Sequence, residues 1–79
     1  MGGQEGDKTV VDVRGHACPM PIIKTSIAMK KAKSGEVFEV LANDEVFRND
    51  IKAWCEKTRN TMERLEINGD ETIATIIKK

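Results

Sequence analysis

The side chains of this sequence best suited to covalent chemistry are two thiols, Cys18 and Cys55, and one imidazole, His16. Cys18 opens the segment Cys18-Pro19-Met20-Pro21. A proline biases the residue before it away from helical geometry and is itself well suited to a first helical turn. The segment therefore predicts a helix start with Cys18 as the N-cap. Pro19 and Pro21 have no amide hydrogen, which leaves the amides of Met20 and Ile22 as the free donors nearest the sulfur. Arg14, His16 and Lys24 are close enough in sequence to add positive charge. A thiolate at a helix N-terminus beside cations is stabilised, so the expectation is a Cys18 thiol of lowered pKa, exposed and held out to another macromolecule.

Other uses of the thiols fare worse. Two cysteines are too few for a disulfide scaffold, and no Cys-x-x-Cys pair is present for thioredoxin-type exchange. His16 is the only candidate base and has no evident partner to orient it, which argues against an autonomous Cys-His hydrolase. A metal site from His16, Cys18 and Cys55 would need a carboxylate to complete it, so no metal is expected. Cys55 follows Trp54 on an apolar helix face and reads as core. The bland alternative for Cys18 is a structural helix cap in a non-catalytic interaction or regulatory module.

Five further segments surround the cysteine helix. The β-branched run 8–13 predicts a strand. The helix from Cys18 runs to Lys33 and stops at Ser34-Gly35. On it Met20, Ile23 and Ile27 share one face, Ile22 and Met29 another, a broad apolar arc suited to packing on a sheet. Residues 36–42 predict a second strand. Asn43-Asp44 offers a cap for a second helix over about 45–59, with Phe47, Ile51, Trp54, Cys55 and Thr58 on one amphipathic face. Residues 62–67 and 72–77 flank Asn68-Gly69-Asp70, whose Asn-Gly pair is a hairpin signal, as both would tolerate positive φ as the central turn residues. The order β-α-β-α-β-β predicts an α/β (α+β) two-layer sandwich, two helices on one face of a mixed four-stranded sheet, its other face carrying alternate Lys, Glu and Thr.

Seventy-nine residues allow one core and no deep cofactor pocket, so a single domain over 8–79 is expected after a flexible, glycine-rich and acidic segment 1–7. Hydrophobic residues make up 39%, or about 47% with glycine counted, which argues against disorder. Thirteen basic residues balance thirteen acidic ones, and aromatics are scarce. Direct nucleic-acid binding is therefore not expected. No apolar run is long enough to cross a membrane, and residues 1–7 are unlike a secretory signal, so a cytoplasmic location is expected.

The segment Asp12-Val13-Arg14-Gly15-His16-Ala17-Cys18-Pro19-Met20-Pro21, together with Asn43-Asp44 and Asp50-Ile51-Lys52-Ala53-Trp54-Cys55, resembles the TusA-like (SirA- or YedF-like) sulfur carriers over nearly the whole chain. The resemblance implies a β-α-β-α-β-β two-layer sandwich. It implies that Cys18 takes up sulfane sulfur as a persulfide and relays it, with no metal or organic cofactor. The partners implied are a donor, either a cysteine desulfurase or a rhodanese-like protein, and an acceptor protein. Relatives of this kind serve tRNA thiolation, sulfur oxidation or cofactor biosynthesis. Glu45 and Asn49 depart from the family pattern, in which many members place a proline and a basic residue there, and are expected to affect partner recognition more than sulfur handling. Asp12, Asp44 and Asp50 read as caps or loop anchors rather than acid catalysts. Arg14, His16 and Lys24 are expected to favour an anionic persulfide and to dock acidic partner surfaces.

Overall fold

A computed structural model of the chain describes residues 8–79; segment 1–7 lies outside the described residues. Six elements follow in the expected order: β1 (Thr9–Asp12), α1 (Met20–Lys30), β2 (Val37–Ala42), α2 (Glu45–Thr58), β3 (Thr61–Asn68) and β4 (Glu71–Ile77). The sheet order is β1-β2-β4-β3, with β1 parallel to β2 and both remaining pairings antiparallel. The two helices and the mixed four-stranded sheet make the expected α+β sandwich.

The sheet's helix-facing side is set by strand alternation. Phe38, Val40 and Ala42 of β2 pair with Ile76, Ala74 and Thr72 of β4, and all six are buried. Onto them α2 lays Phe47, Ile51 and Cys55, all buried, with Trp54 packed at the margin. Thr58, the last residue of that face, is instead exposed, and its hydroxyl donates back to the Trp54 carbonyl. On the opposite side of the sheet Glu39, Thr75, Arg64 and Glu66 give the expected polar positions. Leu41, Ile73 and Ile77 share that side, so it is more apolar than alternation of Lys, Glu and Thr predicts.

Three local expectations are corrected. The first helix is shorter than 18–33, because its first intrahelical bond runs from the Ile23 amide to the Pro19 carbonyl and its last turn closes at Lys31. Its inward row is Pro21, Thr25 and Met29, with Ile22 half-buried, whereas Met20, Ile23 and Ile27 are exposed. Pro21 needs no amide in the first turn, and the buried Thr25 hydroxyl donates to the Pro21 carbonyl at 2.7 Å, so neither residue is costly inside. In the hairpin, Asn68 pairs with Glu71, which makes Gly69-Asp70 the two-residue loop, with Gly69 at φ 63° in the first central position.

Candidate functional site

β1 and β2 are parallel, so the loops that leave them emerge at the same end of the sheet. The two loops are bonded together step by step. The Val13 amide donates to the Leu41 carbonyl at 2.8 Å, the Gly15 amide to Asn43 Oδ1 at 2.9 Å, and the Cys18 amide to Asp44 Oδ2 at 3.0 Å. Gly15 turns the first loop at φ 88°, a conformation that favours glycine. Asp44 uses its other oxygen, Oδ1, to cap α2 at the Val46 amide. One carboxylate thus joins the cysteine loop to the start of the second helix.

Cys18 is exposed, while Cys55 is in the core, and both are free thiols. The Cys18 thiol donates to Asp50 Oδ2 on the first half of α2, with Sγ and oxygen 3.3 Å apart. That hydrogen bond, with desolvation and the charges of Asp50 and Asp44, pushes the Cys18 thiol above its ordinary pKa. The expected lowering is therefore corrected: the hydrogen bond to Asp50 comes first among the causes, followed by desolvation and the charges of Asp50 and Asp44, and all of them raise the thiol.

The helix-cap geometry is corrected as well. Pro19, not Cys18, is the N-cap of α1, with no side-chain capping bond, and the peptide bond between them is cis. The Met20 amide, expected to face the sulfur, donates instead to the Ala17 carbonyl at 2.9 Å. A purely structural role for Cys18 as helix cap loses its basis.

The cationic residues divide. Arg14 folds back on Asp12, through Nε at 2.9 Å and Nη2 at 2.8 Å, and reaches Glu71 through Nη1 at 3.0 Å. The hydrogen bonds from Arg14 to Asp12 hold the Asp12 carboxyl down to about 2. Arg14 is thus occupied in tying the loop to itself and to β4. His16 and Lys24 are exposed. Pro21 is buried and Ile22 half-buried. The roles of Asp44 and Asp50 as partners of Cys18 were missed because their bonds cross 26 and 32 residues. The available signal was the acidic pair Asp44 and Asp50 entering a helix directly after a strand parallel to the one before Cys18. Among the described residues no three His, Cys, Asp or Glu side chains gather to hold a metal ion, and no helix is long and apolar enough to cross a membrane.

Comparison with known proteins bears on this arrangement. A sulfur carrier protein, provisionally so named, from Aquifex aeolicus (strain VF5) is 36% identical over 99% of this chain. YrkF and YrkI of Bacillus subtilis (strain 168), named in the same way, are 43% and 39% identical, each over 77% of it. The chain spans only 39% of the Aquifex protein and 33% of YrkF, but 81% of YrkI. The crystal structure of a SirA-like protein from Desulfitobacterium hafniense superposes with a TM-score of 0.74 at 26% identity, covering 87% of this chain and 95% of that one. The family model described as Sulfurtransferase TusA matches residues 9–79, from the first residue of β1 through the Cys18 loop, the Asp44 loop and α2 to beyond the hairpin, and this chain belongs to that family.

Proposed function

We propose that this protein is a sulfur carrier that holds sulfane sulfur as a persulfide on Cys18. The observation that carries the reading is the exposed Cys18 thiol hydrogen-bonded to Asp50, on a loop anchored by Asp44, while the second thiol is in the core. In loading, the Cys18 sulfur attacks the terminal sulfur of a donor persulfide. The new S–S bond forms at Sγ, the donor's S–S bond breaks, and the donor leaves as a thiolate. The Cys18 proton passes to Asp50 or to solvent, so atoms and charge balance without an added oxidant. In unloading, an acceptor nucleophile takes the terminal sulfur and Cys18 leaves as the thiolate.

The raised Cys18 pKa gives the free protein a protonated, quiet thiol at neutral pH. A donor site that brings positive charge to Asp50 offsets the two carboxylates and releases the nucleophile where sulfur is available. A cysteine desulfurase or a rhodanese-like protein supplies the donor persulfide. His16 and Lys24, both exposed, serve as contacts for partner surfaces. Single-turnover transfer from a persulfide donor to a thiol acceptor tests the reading. Cys18→Ser is expected to abolish transfer with the fold intact, and transfer at the wild-type level by that variant contradicts it.

A further inference from the structure

A cleft made of two hollows that share Trp54 lies between the helices, the nearer one bounded by Pro19 and by Asp50, the hydrogen-bond partner of Cys18. Its first part, about 250 Å³, is lined by Pro19, Ile22, Asp50, Ala53, Trp54 and Lys57. The second, about 450 Å³, shares Trp54 and continues past Ile27, Lys30 and Thr58 to Lys78 and Lys79. From Asp50 to Thr58 the α2 wall advances by eight residue steps, about 12 Å at the helical rise. That length holds about four residues of extended chain. The half-buried Trp54 stands between the two parts, and the part nearer Cys18 is the more apolar, with Pro19, Ile22 and Ala53 in its wall, whereas Ser26, Thr58 and Asn60 join the lysines in the other. On α1, Met20, Ile23 and Ile27 recur at i, i+3 and i+7 and are 38%, 43% and 66% exposed, an apolar stripe that the core leaves uncovered.

The charge along this cleft is graded. Asp50 bounds the Cys18 end, Lys57 stands farther along α2, and Lys30, Lys78 and Lys79 surround the far end. Among the described residues, none of these four lysines forms an ion pair within 4 Å; the ion pairs present belong to Arg14 and Arg64. An apolar slot ending in unpaired cations complements an apolar side chain followed by carboxylates.

We propose that the α1/α2 cleft docks a short acidic segment of a partner protein, an apolar side chain seated on Trp54 and carboxylates against Lys30, Lys57 and Lys78. The inference rests on the carrier reading only in that the occupant belongs to a sulfur donor or acceptor. Such a docked segment would place the body of its protein next to Cys18. An interface this small is weak and transient, as a relay that must release its partner requires. Nucleic acid is disfavoured by the zero net charge of the chain and by the carboxylate at the mouth of the cleft.

Trp54 is the only tryptophan in the chain and tyrosine is absent, so intrinsic emission reports on the cleft itself. The experiment titrates the Cys18→Ser protein with a capped peptide of alternating leucine and glutamate, a leucine and lysine counterpart, and a single-stranded oligonucleotide. Saturable change with the acidic peptide is expected, weakened about tenfold or more by Lys30→Glu with Lys78→Glu and by raising salt from about 50 to about 500 mM. The inference is overturned by no saturable change, by equal binding of the lysine peptide, by indifference to the charge reversals, or by tighter binding of the oligonucleotide. Persulfide loading of the wild-type protein, measured alongside, separates the two ideas. Loading without peptide binding sinks the docking inference alone, and peptide binding without loading supports docking and sinks the carrier reading alone.

Discussion

Replacing Asp44 by alanine removes two bonds at once, because its oxygens serve different elements: Oδ1 caps α2 at Val46 and Oδ2 holds the Cys18 amide. Loss of an N-cap costs about 1 kcal/mol. Loss of a partly exposed hydrogen bond costs about 0.5–1.5 kcal/mol more. Together they approach about 2 kcal/mol, a large share of the total for a domain of this size. In thermal unfolding that is a fall of about 8–16 °C in Tm, and in urea a midpoint shift of about 2 M. Asp44→Asn keeps a capping oxygen but has only one acceptor for the two donors, so its cost is about half as large. The asparagine variant also removes a charge that keeps the Cys18 thiol protonated, so alkylation of Cys18 by iodoacetamide near neutral pH quickens. The reasoning is refuted if Asp44→Ala unfolds within about 0.5 kcal/mol of the wild type, or if asparagine is as costly as alanine.

Further outcomes are expected at Asp50, at Cys55 and on the two faces of the helices. Asp50→Asn removes the acceptor and the nearest charge at Cys18, so the pH profile of Cys18 alkylation moves to lower pH; an unmoved profile contradicts the assigned hydrogen bond. Burial pushes the Cys55 thiol up to about 11, so the native protein at pH 8 takes one alkyl group and the denatured protein two, read by intact mass. Because the folded-state value lies above the unfolded one, the linked stability is intact below about pH 9 and declines as pH rises toward about 11, and Cys55→Ala flattens that limb. Ile27→Ser changes unfolding free energy by less than about 0.5 kcal/mol, since Ile27 is solvent-facing. Ile51→Ala, in the core, costs about 2–5 kcal/mol in the same denaturation assay.

Element order was legible in the sequence because apolar period and punctuation agree. Phe47, Ile51 and Cys55 recur at helical spacing behind the Asp44 cap, and Phe38, Val40 and Ala42 alternate along β2. The orientation of α1 was not legible, because the inward row Pro21, Thr25 and Met29 contains one strongly apolar side chain, whereas the outward row contains Met20, Ile23 and Ile27. Counting hydrophobes points the helix the wrong way. The reactive residue was legible from its flanking prolines, but its electrostatics were not. A local view weighs Arg14, His16 and Lys24, which are near in sequence, while the groups that act on the sulfur arrive from α2 and from the loop before it. Arg14 is withdrawn by Asp12 and Glu71, the second of these 57 residues away.

The central claim is that Cys18 carries sulfur, and intact mass spectrometry after incubation with a sulfane donor, followed by mapping of the modified peptide, tests it most directly. The account predicts a gain of one sulfur atom on Cys18, removed by a thiol reductant, with Cys55 unmodified in the native protein. No gain with several persulfide donors, or a gain that maps to Cys55 and survives in Cys18→Ser, would contradict it.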